Sequence, residues 1–539
     1  MTTSTAMTSS FSETDMSIFA AFFPPATDDY IDALLAQHQA MTMRITDIAT
    51  SVHGERARAM QYFFEGNRSD NGRYPVSMVS HVFQLPGAIA ALDAECWSKA
   101  MASSGILDLM PQARRDEWHK HITNRSCPSF TEANVRSTFD SLFAMRANFL
   151  AERVDGIFRG LSSSHVTNRP QGFRERMIIA GITDEHGFTS YSRCGLVNDL
   201  RCVVAKFMGR DEPSRYASSQ LIERLKNRTG EWVDVDGNSL RIRIYKKGTA
   251  HLEIHPDMAW RLNVILNHLT PNAIPTEFRT RPAKAFKNVQ ILSQPLHFAV
   301  IEVLADMHQA YTYGSTERRQ YIPNSLAFNY SAQDGDRKHA LKQAEAVLEA
   351  IGGQKTNGHW CFDYSPKIII DEIVANGCIP DVKSHQFYPT PDKLAEQAVA
   401  LADIGPESRC LEPSAGLGAL ASLLPPHLTT CVEVAPLRAQ ILKAKGLNAI
   451  SADFLVWSQN HPQKFDRVIM NPPFDRGQWS AHLDAALSTL KTGGRLVAIL
   501  PATAKNQVCS DAGKTVEWHG PYAFPGTSIA VTILVAITH

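Results

Sequence analysis

The order of apolar and polar residues divides the 539-residue chain into stretches of different period. Up to about residue 160, apolar residues recur three and four apart in YIDALLAQHQAMTMRI, GAIAALDAECWSKAMA and NVRSTFDSLFAMRANFLAERVDGIFRGL, the spacing of amphipathic helices. In the last segment Phe139, Leu142, Phe143, Phe149, Leu150, Val154 and Phe158 share a broad face, which predicts one long packed helix. No strict heptad persists, so a coiled coil is not expected. Between about 230 and 256 the period shortens to alternation: WVDVDGNSLRIRIYKKGTAHLEIH, with turns at D-G-N and K-K-G-T, predicts a three-stranded meander. In its central strand Ile242 and Ile244 face one side while Arg241, Arg243 and Tyr245 face the other. PDMAWRLNVILNHL then reads as a helix with proline in its first turn.

DRKHALKQAEAVLEAIGG and PKIIIDEIVANG continue the helical pattern on either side of a short GHWCFDYS segment, and a boundary is placed near 381. Beyond it apolar runs alternate with amphipathic helices: RCLEP, then GLGALASLL; TTCVEVA, then PLRAQILKAKG; AISADF; FDRVIMNPP, then WSAHLDAALSTLKTGG; RLVAILP; and TSIAVTILVAIT. Such alternation predicts an α/β fold built on a parallel sheet with helices on both faces. The expected organisation is a mainly helical region over 1–140, an α+β domain with the meander over 141–380, and the α/β domain over 381–539.

Composition adds exclusions. Hydrophobic residues make up 44% and charged residues 20%, ordinary globular usage, so a disordered or collagen-like chain is not expected. Lys plus Arg equals Asp plus Glu at 54 each, so a nucleic-acid partner is not announced by net charge. Locally, residues 201–290 hold 16 basic against 9 acidic residues. Within that stretch Arg241, Arg243, Lys246, Lys247, Arg279, Arg281, Lys284 and Lys287 are candidates to track phosphates. The nine cysteines contain no C-x-x-C, which argues against a disulfide framework or a cysteine-rich zinc module. His251-x-x-x-His255 has no identifiable third ligand, so no metal is expected. The polar start MTTSTAMTSSFSETDMS and the lack of an apolar run of about 18 residues predict a cytosolic protein.

The chemistry concentrates at successive strand ends after 381. CLEPSAGLGAL ends a strand and opens a predicted helix, so Gly416 and Gly418 would let the backbone approach a ligand at a helix N-terminus. At the next strand end, CVEV, Glu433 could accept both hydroxyls of a ribose. Asp453, ending the third, could accept from an adenine amino group while Phe454 covers the ring. The glycine turn and the acids together indicate a nucleoside-containing cofactor. The fourth strand ends in Asn471-Pro472-Pro473-Phe474. That tetrad suits a planar exocyclic amine: the Asn471 oxygen and the Pro472 carbonyl can each accept one amino hydrogen and Phe474 can stack on the ring. Taken alone, the tetrad also fits a stiff loop with a core phenylalanine.

On these residues, 386–539 resembles a class I S-adenosylmethionine-dependent methyltransferase of the N6-adenine DNA type, with the motif order called gamma. The resemblance implies a Rossmann-like sheet of seven strands whose last, in FPGTSIAVTILVAIT, is antiparallel. It implies S-adenosyl-L-methionine as cofactor. QFYPTP, with Phe387, Tyr388, Pro389, Thr390 and Pro391, would hold its methionine part. EPSAGLG, with Glu412, Pro413, Ser414, Ala415, Gly416 and Gly418, would be the glycine motif, and Glu433-Val434 and Asp453-Phe454 the ribose and adenine contacts. Asn471 to Phe474 would be catalytic, acting on an adenine flipped out of double-stranded DNA. FPGT is a candidate for base-pocket backbone. Such enzymes usually carry a recognition domain after the catalytic half, so here target reading is expected from the first 380 residues or is nearly absent. Residues of about 140–270 resemble an uncharacterised domain that accompanies such enzymes in phages and mobile elements, implying DNA modification in a bacterial or phage-infected cell. Other acceptors with a planar amine remain open: an RNA base, cytosine N4, or a protein glutamine. Phe rather than Tyr at 474 favours a nucleobase over glutamine, and Asn at 471 favours adenine over cytosine. An inactive DNA-binding cofactor sensor is the alternative from another class.

Overall fold

The strands and helices of the C-terminal half form where unbroken apolar runs alternate with segments of period nearly four, and they position everything that follows. The structure, a computed structural model, describes the chain outside residues 1–27, 67–78, 164, 166, 169, 170, 175, 270–273, 283–294, 314–318, 330–334, 380–388, 462, 463, 512 and 525–529. Its contacts divide into two compact units, Met1–Ile291 and Leu292–His539.

In the first unit, helices such as Asp28–Ser51 and Leu85–Ser104 precede a four-stranded sheet. Trp97 is fully buried among Trp118, Phe130 and Phe139, and its indole donates to the Pro128 carbonyl at 2.7 Å. The helix predicted as one long element is two, Glu132–Ala144 and Arg146–Arg159. Met145, with φ −88° and ψ −3°, interrupts it. Neither glycine nor proline marks the break. It separates Phe139, which packs on Trp97, from the half that packs against the helix Pro256–Leu269. The sheet comprises β1 (Arg176–Ala180), β2 (Val233–Val235), β3 (Leu240–Tyr245) and β4 (Thr249–Ile254) in the order β1-β4-β3-β2. The meander and the facing of its central strand are as predicted, with Ile242 and Ile244 buried and Arg241, Arg243 and Tyr245 half-buried. β1 is an addition, paired antiparallel to β4.

Some of the arginines of this unit are paired with acids in its interior. Buried Arg201 grips both oxygens of buried Asp236 at 2.7 and 2.9 Å, and buried Arg153 donates to Asp199 at 2.7 Å and Glu212 at 3.4 Å. Paired cations of this kind are structural, since leaving either partner alone in the core is costly.

The second unit opens with the helix Phe298–Ala305, the hairpin β5 (Tyr311–Tyr313) and β6 (Arg319–Tyr321), then β7 (Ser325–Leu326) and the helix Gly335–Ala350. β8 (Gln354–Thr356), β9 (His359–Cys361) and the helix Lys367–Asn376 follow. Segment 292–380 packs with the C-terminal sheet: the helix Lys367–Asn376 lies against Pro436–Ala444, and Lys445 pairs with Asp363 at 2.8 Å.

The main sheet contains β10 (Cys410–Glu412), β11 (Thr429–Glu433), β12 (Asn448–Ser451), β13 (Phe465–Met470), β14 (Leu490–Pro501), β15 (Lys514–Ala523) and β16 (Ala530–Thr538). Their order is β12-β11-β10-β13-β14-β16-β15, with β16 antiparallel to both neighbours. This is the α/β class expected, a doubly wound sheet with an antiparallel last strand inserted near one edge. In β14, Leu496, Ala498 and Leu500 enter the core on one face and Val497 and Ile499 that on the other, which is why the strand reads as an unbroken apolar run. GLGALASLL does not form the predicted helix. It makes turns and a single 3₁₀ turn, Ala421–Leu423, because Gly418 holds φ at +85° on one side and Pro425-Pro426 stop any helix on the other. No helix N-terminus therefore stands at the two glycines. No helix of the described residues is long and apolar enough to cross a membrane.

Candidate active site

The carboxyl ends of β10, β11, β12 and β13 open on one cavity of about 330 Å³. They flank the point where the strand order reverses at β10, the position at which open α/β sheets bind ligands. Pro389, Thr390, Glu412, Pro413, Ser414, Ala415, Gly416, Glu433, Val434, Asp453, Phe454 and the tetrad Asn471 to Phe474 all line it. Gly418 stands apart. A Cβ there would lie 2.8 Å from Leu442, so its glycine is demanded by packing of the loop on the helix Pro436–Ala444. Phe387 and Tyr388 lie outside the described residues, as do Pro525, Gly526 and Thr527 of FPGT.

Glu433 is buried and organises the loop. Its Oε2 accepts from the Gly416 amide at 2.8 Å, its Oε1 from the Ala435 amide at 2.8 Å, and the Arg438 guanidinium lies 3.8 Å away. A carboxylate has about four lone-pair sites, so two remain for a ligand's hydroxyls. Val434, next in line, is 47% exposed, an apolar surface at the cavity wall that a flat ring can cover.

Glu412 differs. It is 2% exposed, and among the described residues its buried Oε2 has no hydrogen-bond partner. Burial pushes its carboxyl well above the ordinary carboxylate range and the Glu433 charge adds to this, against the opposing Ala421 backbone N–H. An acid so placed holds its proton more tightly than an ordinary carboxyl and gains most from a nearby cation. This orphaned oxygen fits the ammonium of an amino-acid moiety, the methionine end of the cofactor that the motifs imply.

The Asn471 Nδ2 donates to Thr390 Oγ1 at 3.0 Å. The contact joins two motifs 81 positions apart and spends the amide's nitrogen on the protein, leaving its oxygen as the free acceptor. Pro472 is buried, and Phe474 is half-buried, packed against the cores on both faces of the sheet. Asp453 is exposed and caps the helix Phe454–Asn460 by accepting from the Leu455 amide at 2.8 Å. Phe454 lines the cavity but is chiefly a core side chain, stacked 6.2 Å from Trp457.

Sequence reasoning missed His482 and Gln478, which line the same cavity. They stand four apart on the helix Gln478–Ser488 that follows the tetrad, so an i, i+4 reading of that helix toward the strand ends could have found them. The His482 ring is 5.7 Å from Phe454 and its Nδ1 is 3.4 Å from Ser414 Oγ. Burial holds its pKa below the usual value, with Asp453 pulling the other way, so it is neutral at pH 7.

The candidate phosphate contacts all belong to the first unit. Arg241 is neutralised by Asp234 at 2.9 Å and Glu253 at 3.5 Å, and Arg243 lies over the Tyr245 ring at 5.0 Å. Lys246 and Lys247 are exposed in the turn between β3 and β4. Arg279 donates to the Ile274 carbonyl at 3.0 Å, Arg281 is exposed, and Lys284 and Lys287 lie outside the described residues.

A family model described as a domain of unknown function, DUF4942, matches residues 89–272, beginning well before the start placed near 140 from the sequence. No curated protein matches the chain. Among solved structures, TrmN from Thermus thermophilus is 23% identical over 28% of this chain and 49% of its own, with a TM-score of 0.23. The chain thus spans about half the length of that protein. An rRNA methylase from Streptococcus thermophilus is 13% identical over 28% of this chain and 99% of its own, with a TM-score of 0.23. A Streptococcus mutans protein solved in complex with SAH is 14% identical over 28% and 99%, with a TM-score of 0.22. The class of fold rests on the strand order and the antiparallel β16, not on these partial likenesses.

Proposed function

We propose that the chain is an S-adenosylmethionine-dependent methyltransferase that methylates N6 of adenine in DNA. The observation that carries the reading is the fixed Asn471 amide, held by Thr390 with its oxygen free, in the same cavity as the unpartnered acid Glu412 and the loop-binding Glu433. One end of such a cavity suits a nucleoside with a cationic amino-acid tail; the other suits a planar amine.

The bound cofactor supplies the methyl group, carried on a sulfonium. Everything else falls to the chain. Glu412 would hold the ammonium, Glu433 the ribose hydroxyls, and Val434 and His482 would border the base of the nucleoside. At the acceptor end Asn471 and the Pro472 carbonyl would draw the two amino hydrogens, turning the nitrogen lone pair out of conjugation with the ring, and one of those hydrogens would leave to water as a proton once the nitrogen is methylated. Proline rigidity keeps that carbonyl in place, and the sheet fixes the distance between the two ends, so orientation contributes a large share of the rate. The amine of a paired adenine is out of reach inside a duplex, so the base is flipped.

The test is incubation of the full chain with methyl-labelled cofactor and DNA, RNA and protein acceptors, which are then separated and hydrolysed. Label in N6-methyladenine from DNA is expected. Label confined to RNA, cytosine or glutamine would overturn the acceptor while keeping the chemistry. Tight cofactor binding with no label anywhere would overturn the enzyme reading in favour of a sensor.

A further inference from the structure

The hairpin β5–β6 lies in the same compact unit as the cavity and takes no part in lining it. Its register pairs Tyr311 with Tyr321 and Tyr313 with Arg319. Residues two apart on a strand, and their direct cross-strand partners, share a face. Tyr311, Tyr313, Arg319 and Tyr321 therefore form one face, leaving Thr312 and Gln320 on the other. The Tyr311 ring is edge-on to Tyr313 at 5.6 Å and to Tyr321 at 6.1 Å, and the Arg319 guanidinium sits 4.6 Å from its centroid. His308 extends the row, 5.8 Å from Tyr311.

This face is open: Tyr313 is 68% and Tyr321 58% exposed. Arg319 meets tyrosine rings and, among the described residues, no carboxylate. The hairpin thus presents apolar ring faces to solvent. Aromatic faces spaced along a strand, with a cation beside them that no acid among the described residues neutralises, match a polymer of flat bases joined by phosphates. A duplex hides its base faces, so the matching occupant is an unpaired strand.

We propose that the β5–β6 face is a base-stacking platform for unpaired DNA. The inference rests on the nucleic-acid reading of the acceptor and deepens it. The platform supplies contacts that do not depend on base identity, since every base has a π-face.

The test uses the full chain and fluorescence anisotropy with labelled single-stranded DNA, single-stranded RNA and fully paired duplex of mixed sequence. Y313A/Y321A is expected to weaken single-stranded DNA binding about tenfold or more, from the loss of stacked bases, while Y313F/Y321F binds as wild type. R319Q should flatten the salt dependence of binding. Melting midpoint and S-adenosylhomocysteine affinity of all variants should match wild type, which separates platform from fold and site. Wild-type binding by Y313A/Y321A would overturn the platform even if DNA methylation is found, and binding confined to RNA or to duplex would overturn its assignment to unpaired DNA. Loss of binding in Y313A/Y321A alongside no methylation of any nucleic acid would uphold the platform and remove the methyltransferase reading instead.

Discussion

Glu412→Gln removes one ionisable proton site from the floor of the cavity and nearly nothing else, because the two side chains have the same shape. In the folded chain burial and Glu433 hold this carboxyl well above its ordinary value, so the folded state keeps a proton that the unfolded state releases. The sign follows directly. Below the ordinary carboxylate range both states are protonated and the group costs nothing; as pH rises toward the raised value, stability is lost. One retained proton lowers the folding constant tenfold per pH unit, which for a unit spanning Leu292–His539 is a fall of about 3–6 °C in melting midpoint per unit. Glu412→Gln should abolish that slope and melt higher than wild type at pH 7. Cofactor binding should move the opposite way. Ionisation against a bound ammonium releases a proton, so wild-type affinity for S-adenosylmethionine rises with pH and the heat of binding depends on the buffer's ionisation enthalpy. The variant should bind more weakly and release no proton. Scanning calorimetry and titration calorimetry from pH 5 to 8 provide the readouts. A wild-type melting profile with the same slope as the variant, or equal cofactor affinity and proton release in both, would refute the reasoning.

Other residues give further expectations. Thr390→Val frees the Asn471 amide to rotate, and kcat should fall about 10–100-fold with little change in cofactor affinity, measured by steady-state methyl transfer and titration calorimetry. Gly418→Ala forces a side chain into a φ of +85° and against Leu442, and should cost about 1–3 kcal/mol by urea unfolding while the folded fraction keeps its cofactor affinity. Arg153→Met strands Asp199 and Glu212 in the core of the first unit and should cost about 3–5 kcal/mol there; a loss near zero would show that Arg115, 3.0 Å from Asp199, suffices.

The legible part of this protein is the part in which chemistry sits at strand ends. Glu412, Glu433, Asp453 and Asn471 each close an apolar run, and in a parallel sheet successive run ends fall on one edge, so local reading delivered most of the cavity. Relations between distant residues were not legible. Nothing local announces that Thr390 holds Asn471, that Glu412 lacks a partner, or that His482 turns into the cavity from a helix whose other side packs in the core. The same limit explains the first unit. β1 is a five-residue run whose partner β4 begins at Thr249, and the break at Met145 is set by what each half of the helix packs against. For a related reason charge counts do not reveal which arginines are buried with acids, as Arg201 and Arg210 are with Asp236.

The measurement that bears most directly on the central claim is single-base mapping of methylation in plasmid DNA from a strain lacking its own methylation, expressing wild type beside Asn471→Ala. The account predicts N6-methyladenine with wild type and a loss of about 10²–10³ in rate with the variant, which still binds S-adenosylhomocysteine as wild type does. Adenine methylation that persists in a folded Asn471→Ala protein, or no methylated adenine from a wild-type protein that binds the cofactor, would contradict it.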